Sequence, residues 1–296
     1  MIRKLMIAAA LLAAGAAHAD TLGKIKQTGA VSMGVRESSG ALSYTLGDGK
    51  YVGFHVELCE RALADVQKSL GLPKLEIRYQ PVTSQNRIPL VQNGTVDIEC
   101  GSTTNNLARQ KDVAFAVTTY VEEVRMAVKA NSGITSIAQL AGKTVSTTTG
   151  TTSVQHLRKH ERATGIQFNE VYGKDHADSF LLLESGRADA FVMDGQIVAG
   201  LISRAKNPAD YKIVGEVLSV EPIAIMLRKD DPAFKKAVDA SLVALMKSGE
   251  IAKIYDKWFM EPIPPGNTKV GLPASEATKA AWANPNDKPL EDYLKK

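Results

Sequence analysis

No long apolar run follows the first 19 residues of this 296-residue chain, no CxxC pair occurs, and the short signatures of common enzyme classes are missing. There is no Gly-x-Ser-x-Gly elbow, no phosphate-binding Walker loop, no His-Glu-x-x-His pair and no dinucleotide glycine fingerprint, so no enzyme class is suggested by motif and no cofactor is expected. The five histidines show no ligand spacing, and a metal site is not expected either. Basic residues exceed acidic ones only slightly, 36 against 32, and they form no basic block. Nucleic acid is therefore a poor candidate partner, although the small surplus suits an anionic ligand. Internal repeats and low-complexity segments are also absent after the N-terminus.

What is present begins with an export signature. Arg3 and Lys4 form a basic start, Met6 to Ala14 an apolar middle, and Ala17-His18-Ala19 a small-residue cleavage site. The apolar stretch is well short of the roughly 20 residues needed to span a bilayer. Residues 1–19 are thus expected to be a signal peptide, cleaved after Ala19 to leave Asp20 at the N-terminus. No cysteine follows that point directly, which favours a soluble periplasmic protein over a lipid-anchored one. Cys59 and Cys100 would reach a compartment where disulfides persist, and both a bridge and two buried thiols stay open, because geometry decides between them.

Strand-like and helix-like segments alternate along most of the chain, which predicts an α/β architecture with covered sheets. The pattern predicts strands at Val31–Val35, Leu75–Tyr79, Val96–Cys100, Arg125–Lys129, Thr144–Thr147, Ala190–Met193 and Ile223–Leu227. It predicts helices at Phe54–Leu70, Asn86–Gln92, Thr152–Ala163, Ser179–Glu184, Gln196–Lys206 and Pro232–Lys247. The segment from Pro262 to Lys296, rich in proline, glycine and asparagine, is expected to wrap along a lobe rather than build one. The acidic pairs Glu122-Glu123 and Asp230-Asp231 read as solvated turn or strand-end residues.

The most informative run is Thr83 to Asn106, with Arg109 just beyond. It passes from a polar loop through an apolar-faced helical segment and a short strand to Gly101-Ser102-Thr103-Thr104-Asn105-Asn106, which looks like a helix start. Hydroxyls and free amides at such a place receive carboxylate oxygens, and Arg87 and Arg109 supply guanidinium forks suited to bidentate pairing. Two arginines suggest two carboxylates.

This run resembles the extracellular solute-binding proteins of family 3, in particular the glutamate/aspartate-binding members that serve ABC importers. The resemblance continues through Val35-Arg36-Glu37-Ser38-Ser39, Gly150-Thr151-Thr152-Ser153, Lys174 to Phe180, Leu183 to Ala188, Met226 to Asp231, Trp258-Phe259 and Pro262-Ile263-Pro264-Pro265. It covers nearly the whole mature chain. It implies the type II periplasmic-binding-protein fold: two lobes, each a central mixed sheet flanked by helices, joined by two hinge strands. By resemblance lobe 1 comprises 20–121 and 222–296 and lobe 2 comprises 122–221, with crossings near Tyr120–Val124 and Val217–Ile223.

The resemblance also implies a ligand set. Arg109 would fork the α-carboxylate, with Ser102 and Thr104 completing that end and Thr152 reaching it from lobe 2. Asp194, after a strand and before a helix, would accept the ammonium; local sequence alone reads it as a helix N-cap. Arg36, Ser84, Arg87 and His176 would surround a side-chain carboxylate. Taken singly, Arg109 reads as a surface arginine beside capping hydroxyls, Arg36 as a partner of Glu37 or another surface carboxylate, Ser84 as a cap and His176 as an ordinary loop histidine. The chain departs from the family pattern at Leu42, where an aromatic residue is usual, and at Pro222-Ile223-Ala224-Ile225, where a tyrosine-glycine-cysteine segment is usual. The family's cysteine pairing therefore does not carry over.

The implied function is capture of L-glutamate or L-aspartate by a monomer that closes about a hinge and delivers the ligand to an inner-membrane permease. The alternative is a prephenate or arogenate (cyclohexadienyl) dehydratase on the same fold, which would need a general acid aimed at a leaving hydroxyl.

Overall fold

The computed structural model describes residues 20–294; the signal-peptide expectation lies outside them. In chain order the elements are α1 (Thr21–Thr28), β1 (Ala30–Val35), β2 (Ser38–Ser39), β3 (Ser43–Gly47), β4 (Lys50–Val52), α2 (Phe54–Ser69), β5 (Glu76–Pro81), α3 (Arg87–Gln92), β6 (Ile98–Glu99) and β7 (Val113–Phe115). They continue with β8 (Tyr120–Lys129), β9 (Thr144–Thr148), α4 (Thr152–Thr164), β10 (Asn169–Gly173), α5 (His176–Glu184), β11 (Ala190–Asp194), α6 (Gly195–Arg204) and β12 (Tyr211–Ile223). The last are β13 (Met226–Arg228), α7 (Pro232–Lys247), α8 (Glu250–Phe259), α9 (Glu276–Ala283) and α10 (Leu290–Tyr293).

These form two five-stranded mixed sheets and a small three-stranded one. The first sheet runs β5-β1-β6-β13-β7, with β1 parallel to β5 and β6 and with β13 antiparallel to β6 and β7. The second runs β10-β9-β11-β8-β12, with β9 parallel to β10 and β11 and with β8 antiparallel to β11 and β12. Chain from both before and after the second sheet contributes to the first, since β13 lies between β6 and β7. Apolar residues such as Val145, Phe191, Val192 and Met193 are fully covered, as expected of a sheet packed on both faces.

The segments 120–124 and 219–223 lie side by side, from Tyr120 opposite Ile223 through Glu122 opposite Glu221 to Val124 opposite Ser219. Tyr120 stacks on Phe259 of α8 at 5.7 Å, and Phe259 stacks on Tyr255 at 4.3 Å. Helix α8 was not among the predicted elements, although Ile251, Ile254, Tyr255, Trp258 and Phe259 form its buried face at helical spacing. The C-terminal tail does wrap, and it also supplies α9 and α10 and fastens neighbouring strands. Thr278 Oγ1 accepts from Val121 N at 3.0 Å, Trp282 Nε1 donates to Thr119 O at 2.7 Å, and Leu290 N donates to Asn105 O at 2.8 Å.

Cys59 and Cys100 form a disulfide, which decides the alternative left open by sequence. It ties α2 to the residue after β6, just ahead of Gly101. The predicted helix start at Ser102 to Asn106 is instead an irregular segment that ends in a short 3-10 turn, Arg109–Lys111. The two acidic pairs are also corrected. Glu123 and Asp230 are solvated, whereas Glu122 and Asp231 are each only 2% exposed. Asp231 caps α7 by accepting from Phe234 N and also accepts from Thr21 N, so the helix start consumes its charge.

Candidate functional site: a cleft of buried arginines facing helix starts

Arg36 leaves the C-terminal end of β1, Arg87 opens α3, and Arg109 begins the short 3-10 turn. All three are buried, Arg36 completely. Arg36 Nη2 donates to Ser84 Oγ at 2.9 Å and to His176 Nε2 at 3.2 Å, and lies 3.4 Å from Asp175 Oδ1. It does not pair with Glu37, which is exposed and accepts from Tyr51. Arg87 Nη1 donates to Ser102 O at 3.3 Å, and Arg109 Nη1 donates to Thr104 O at 2.9 Å. Nε and Nη1 of Arg36 and Nε of Arg87 are buried donors with no acceptor in the protein. Burial and mutual repulsion among the guanidiniums press the Arg87 pKa well below its usual value. The cluster is thus held under electrostatic load that an anion would relieve.

The facing wall comes from helix starts in the layer of the second sheet. Thr152 is the first residue of α4, His176 the first of α5, and Asp194 stands immediately before α6. The backbone N–H groups there carry the positive end of each helix dipole. His176 Nδ1 lies 3.0 Å from Thr148 Oγ1. Because arginine only donates, His176 Nε2 must accept from Arg36, and the ring is neutral with its proton on Nδ1. Burial, Arg36 and Arg87 all lower its pKa well below the usual histidine value, in agreement with a neutral ring.

Asp194 is buried yet its side chain makes no capping bond to α6. Glu122 takes that place, its Oε1 accepting from Gln196 N at 3.4 Å and from Glu123 N at 2.9 Å. Asp194 thus stands at the N-cap position of α6, as the local reading has it, but supplies no capping bond, and its carboxylate remains available to the cleft. Burial, then the charge of Glu221, raise the Asp194 pKa to about 7 against the lowering effect of Arg87, Arg109 and Arg36.

The two walls touch. Arg109 Nη2 reaches Gly150 O at 3.4 Å, Ala177 N donates to Ser38 Oγ at 3.0 Å, and the hydroxyls of Thr104 and Thr152 are 3.4 Å apart. Gly150 has φ +81, and a Cβ there would come within 2.8 Å of Gln85 Cα, so the approach requires glycine. Ser102 Oγ turns to Ser39 Oγ at 3.1 Å.

All nine residues singled out by sequence, Arg36, Ser84, Arg87, Ser102, Thr104, Arg109, Thr152, His176 and Asp194, are buried. Sequence reasoning missed the carboxylates and histidine that position them. Glu99 accepts from Thr103 Oγ1 at 2.7 Å, and a Cβ on Gly101 would meet Glu99 Oε1 at 2.1 Å. His55 bridges Gly101 O and Thr119 Oγ1, and burial lowers its pKa to about 4. Glu221 receives Thr104, Thr152 and His156. The available signal was a single charge inside an otherwise apolar stretch, as in Ile98-Glu99-Cys100 and Val220-Glu221-Pro222. No group of residues suited to hold a metal occurs among the described residues, nor does any helix there have the length and apolarity to cross a membrane.

Residues 31–261 match the model of the bacterial extracellular solute-binding proteins, family 3. The chain is 46% identical over 290 residues to the L-glutamate/L-aspartate-binding protein of Pseudomonas aeruginosa, covering 96% of each chain. It is 44% identical over 292 residues to the glutamate/aspartate import solute-binding protein of Escherichia coli, covering 96% of this chain and 97% of the relative. Among solved structures, an arginine-binding protein from T. maritima superposes with a TM-score of 0.72 at 28% identity over 82% of this chain and 100% of that one. An ancestral amino-acid-binding precursor of cyclohexadienyl dehydratase gives a TM-score of 0.70 at 27% identity over 81% of this chain and 99% of that one. The fold is thus the α/β, type II periplasmic-binding-protein fold, and the chain belongs to the bacterial extracellular solute-binding proteins of family 3.

Proposed function

We propose that the protein captures L-glutamate or L-aspartate in the periplasm and delivers it to the inner-membrane permease of an ABC importer. The observation that carries this reading is the set of buried guanidinium donors on Arg36 and Arg87 that have no acceptor in the protein, with the uncommitted carboxylate of Asp194 opposite them. A dicarboxylate bearing one ammonium matches that charge pattern. Arg109 takes the α-carboxylate, with Ser102, Thr104 and Thr152 at that end of the ligand. Asp194 accepts the ammonium, while Arg36, Ser84, Arg87 and neutral His176 surround the side-chain carboxylate. The names borne by the P. aeruginosa and E. coli relatives support the same ligands and favour binding over dehydratase chemistry.

In this reading residues 20–121 with 222–296 form lobe 1 and 122–221 form lobe 2. The paired crossings allow closure to bring both walls onto the ligand, so that the ligand favours the closed state. The exported protein begins at Asp20 after cleavage of the signal and acts as a monomer. Calorimetry on ligand-stripped protein against the common amino acids and dicarboxylates tests the assignment. Glutamate or aspartate should bind far more tightly than glutamine or asparagine, and equal or tighter binding of glutamine would overturn it.

A further inference from the structure

Glu221 is fully buried on β12, opposite Glu122 and two residues before the bridge between Ile223 and Thr104. Its Oε2 accepts from Thr104 Oγ1 at 2.6 Å and from Thr152 Oγ1 at 2.8 Å, and its Oε1 is held by His156 Nε2 one turn further along α4. A single carboxylate oxygen therefore joins a residue of the Gly101–Thr104 segment to the first residue of α4. Burial acts to raise the Glu221 pKa, but the bonds from His156, Thr104 and Thr152 outweigh it and lower it. The group is an ionised acceptor with no hydrogen of its own to give.

A threonine hydroxyl owns one hydrogen and two lone pairs. With both hydrogens directed at Glu221, the oxygens of Thr104 and Thr152 have only lone pairs left for anything else. They can receive a ligand's N–H but cannot donate to its carboxylate. We infer that Glu221 is a positioning residue of the binding site: it fixes the hydroxyl hydrogens of Thr104 and Thr152 so that both oxygens face the cleft as acceptors for the ligand ammonium. The inference rests on the amino-acid-binding reading above and refines it, since it moves these two hydroxyls from the carboxylate end to the ammonium end and leaves the α-carboxylate to Arg109 and to backbone N–H groups. His156 steadies the carboxylate through its other oxygen and takes no part in contacting the ligand.

Two variants separate positioning from bulk or charge. Glu221→Gln keeps an acceptor oxygen for both threonines and places its amide nitrogen toward His156, so the hydroxyls stay oriented. Glu221→Leu removes the acceptor. Calorimetry with L-glutamate and L-aspartate should show Glu221→Leu weakened on the order of tenfold or more for both ligands, and Glu221→Gln within a few fold of the parent. Equal losses in the two variants, or no loss in Glu221→Leu, would overturn the inference. Proton NMR of the ligand-free protein supplies a readout independent of ligand identity. Slowly exchanging hydroxyl protons of Thr104 and Thr152 should be visible in the parent and in Glu221→Gln and lost in Glu221→Leu. If these protons behave as expected but neither amino acid binds the parent protein, the functional reading fails while the positioning role stands. If they are not sensitive to residue 221, the positioning role fails whatever the ligand proves to be.

Discussion

Arg36, Arg87 and Arg109 all come from segments tied to the first sheet, whereas Thr152, His176 and Asp194 stand at the starts of α4, α5 and α6 beside the second. One wall concentrates full positive charges, and the other offers helix dipoles, a neutral imidazole and two carboxylates, Asp175 at the start of α5 and Asp194 at the start of α6. A guanidinium buried with part of its donor set unpaired, as in Arg36 and Arg87, calls for a rigid surround. A helix start has its N–H groups already aimed and needs only to be brought near. Under the proposed function the difference is a division of labour: the first wall would set which anion is accepted, and the second would report by its approach that a ligand is in place.

The rigid surround is open to direct attack. The only disulfide among the described residues joins Cys59 to Cys100, beside the Gly101–Thr104 segment, and none lies in the second sheet's layer. Replacing both cysteines by serine should cost about 4 kcal/mol of stability, from the loop-closure entropy of a 41-residue separation. Denaturant unfolding of the oxidised parent and the double variant measures this. A loss under about 1 kcal/mol would mean that packing of α2 already supplies the rigidity.

Within the arginine wall the two ends should separate. Arg109→Ala is expected to weaken every α-amino acid by about 3 kcal/mol, more than a hundredfold in Kd, because it removes a charge-assisted fork and leaves a carboxylate desolvated. Arg87→Ala should cost about 2 kcal/mol for glutamate and aspartate and little for their amides, erasing the acidic preference. Calorimetry on folded variants with all four ligands decides it, and an identical pattern of loss would invalidate the assignment of ends. Gly150→Ala strikes the approach of the walls instead. With φ +81 and Gln85 Cα 2.8 Å from the added Cβ, it should weaken binding by about 2 kcal/mol while leaving each sheet folded. Small-angle scattering with saturating ligand should show a larger radius of gyration than the parent.

The arginine wall was far easier to read in the sequence than what supports it. Arg87 and Arg109 flank a run of hydroxyl and amide residues, β1 and β11 announce themselves as short, mainly apolar stretches, and β9 does so by its β-branched Thr144-Val145-Ser146-Thr147-Thr148. Periodicity also held the signal for α8, in the spacing of Ile251, Ile254, Tyr255, Trp258 and Phe259. The supporting carboxylates were illegible for a physical reason. A buried Glu122 or Glu221 is stabilised by partners distant in sequence: Gln196 N donates to Glu122, and Thr104 lies 117 residues from Glu221. Locally, an isolated acid looks the same whether it meets water or a threonine hydroxyl. Likewise, nothing near Asp194 reveals that Glu122 relieves it of capping α6. The Cys59–Cys100 pairing depends on their Cα atoms coming within 6.4 Å across 41 residues of chain, which the spacing of the two cysteines does not state.

The smallest expected effect concerns the carboxylate of Asp194 in the second wall. Burial and Glu221 hold the Asp194 pKa near 7 in the ligand-free protein, above its usual value, so its ionised form is the costly one at neutral pH. An arriving ammonium favours that ionised form. Binding below pH 7 must therefore expel a proton from Asp194, whereas above it the group is already charged. Affinity for L-glutamate should be level above about pH 7 and fall by up to tenfold, about 1.4 kcal/mol, per pH unit below it. His176 does not blur the profile, because its pKa lies well below the usual histidine value and it stays neutral across the window. Calorimetry at pH 6 in buffers of different ionisation enthalpy should register net proton release on binding, and Asp194→Asn should abolish both the release and the slope while binding more weakly at pH 8. A slope that survives Asp194→Asn would assign the titrating group to Glu122, whose pKa burial and the charge of Asp194 raise well above the usual carboxylate value, and the second wall would then act through the hinge strands rather than through the helix start.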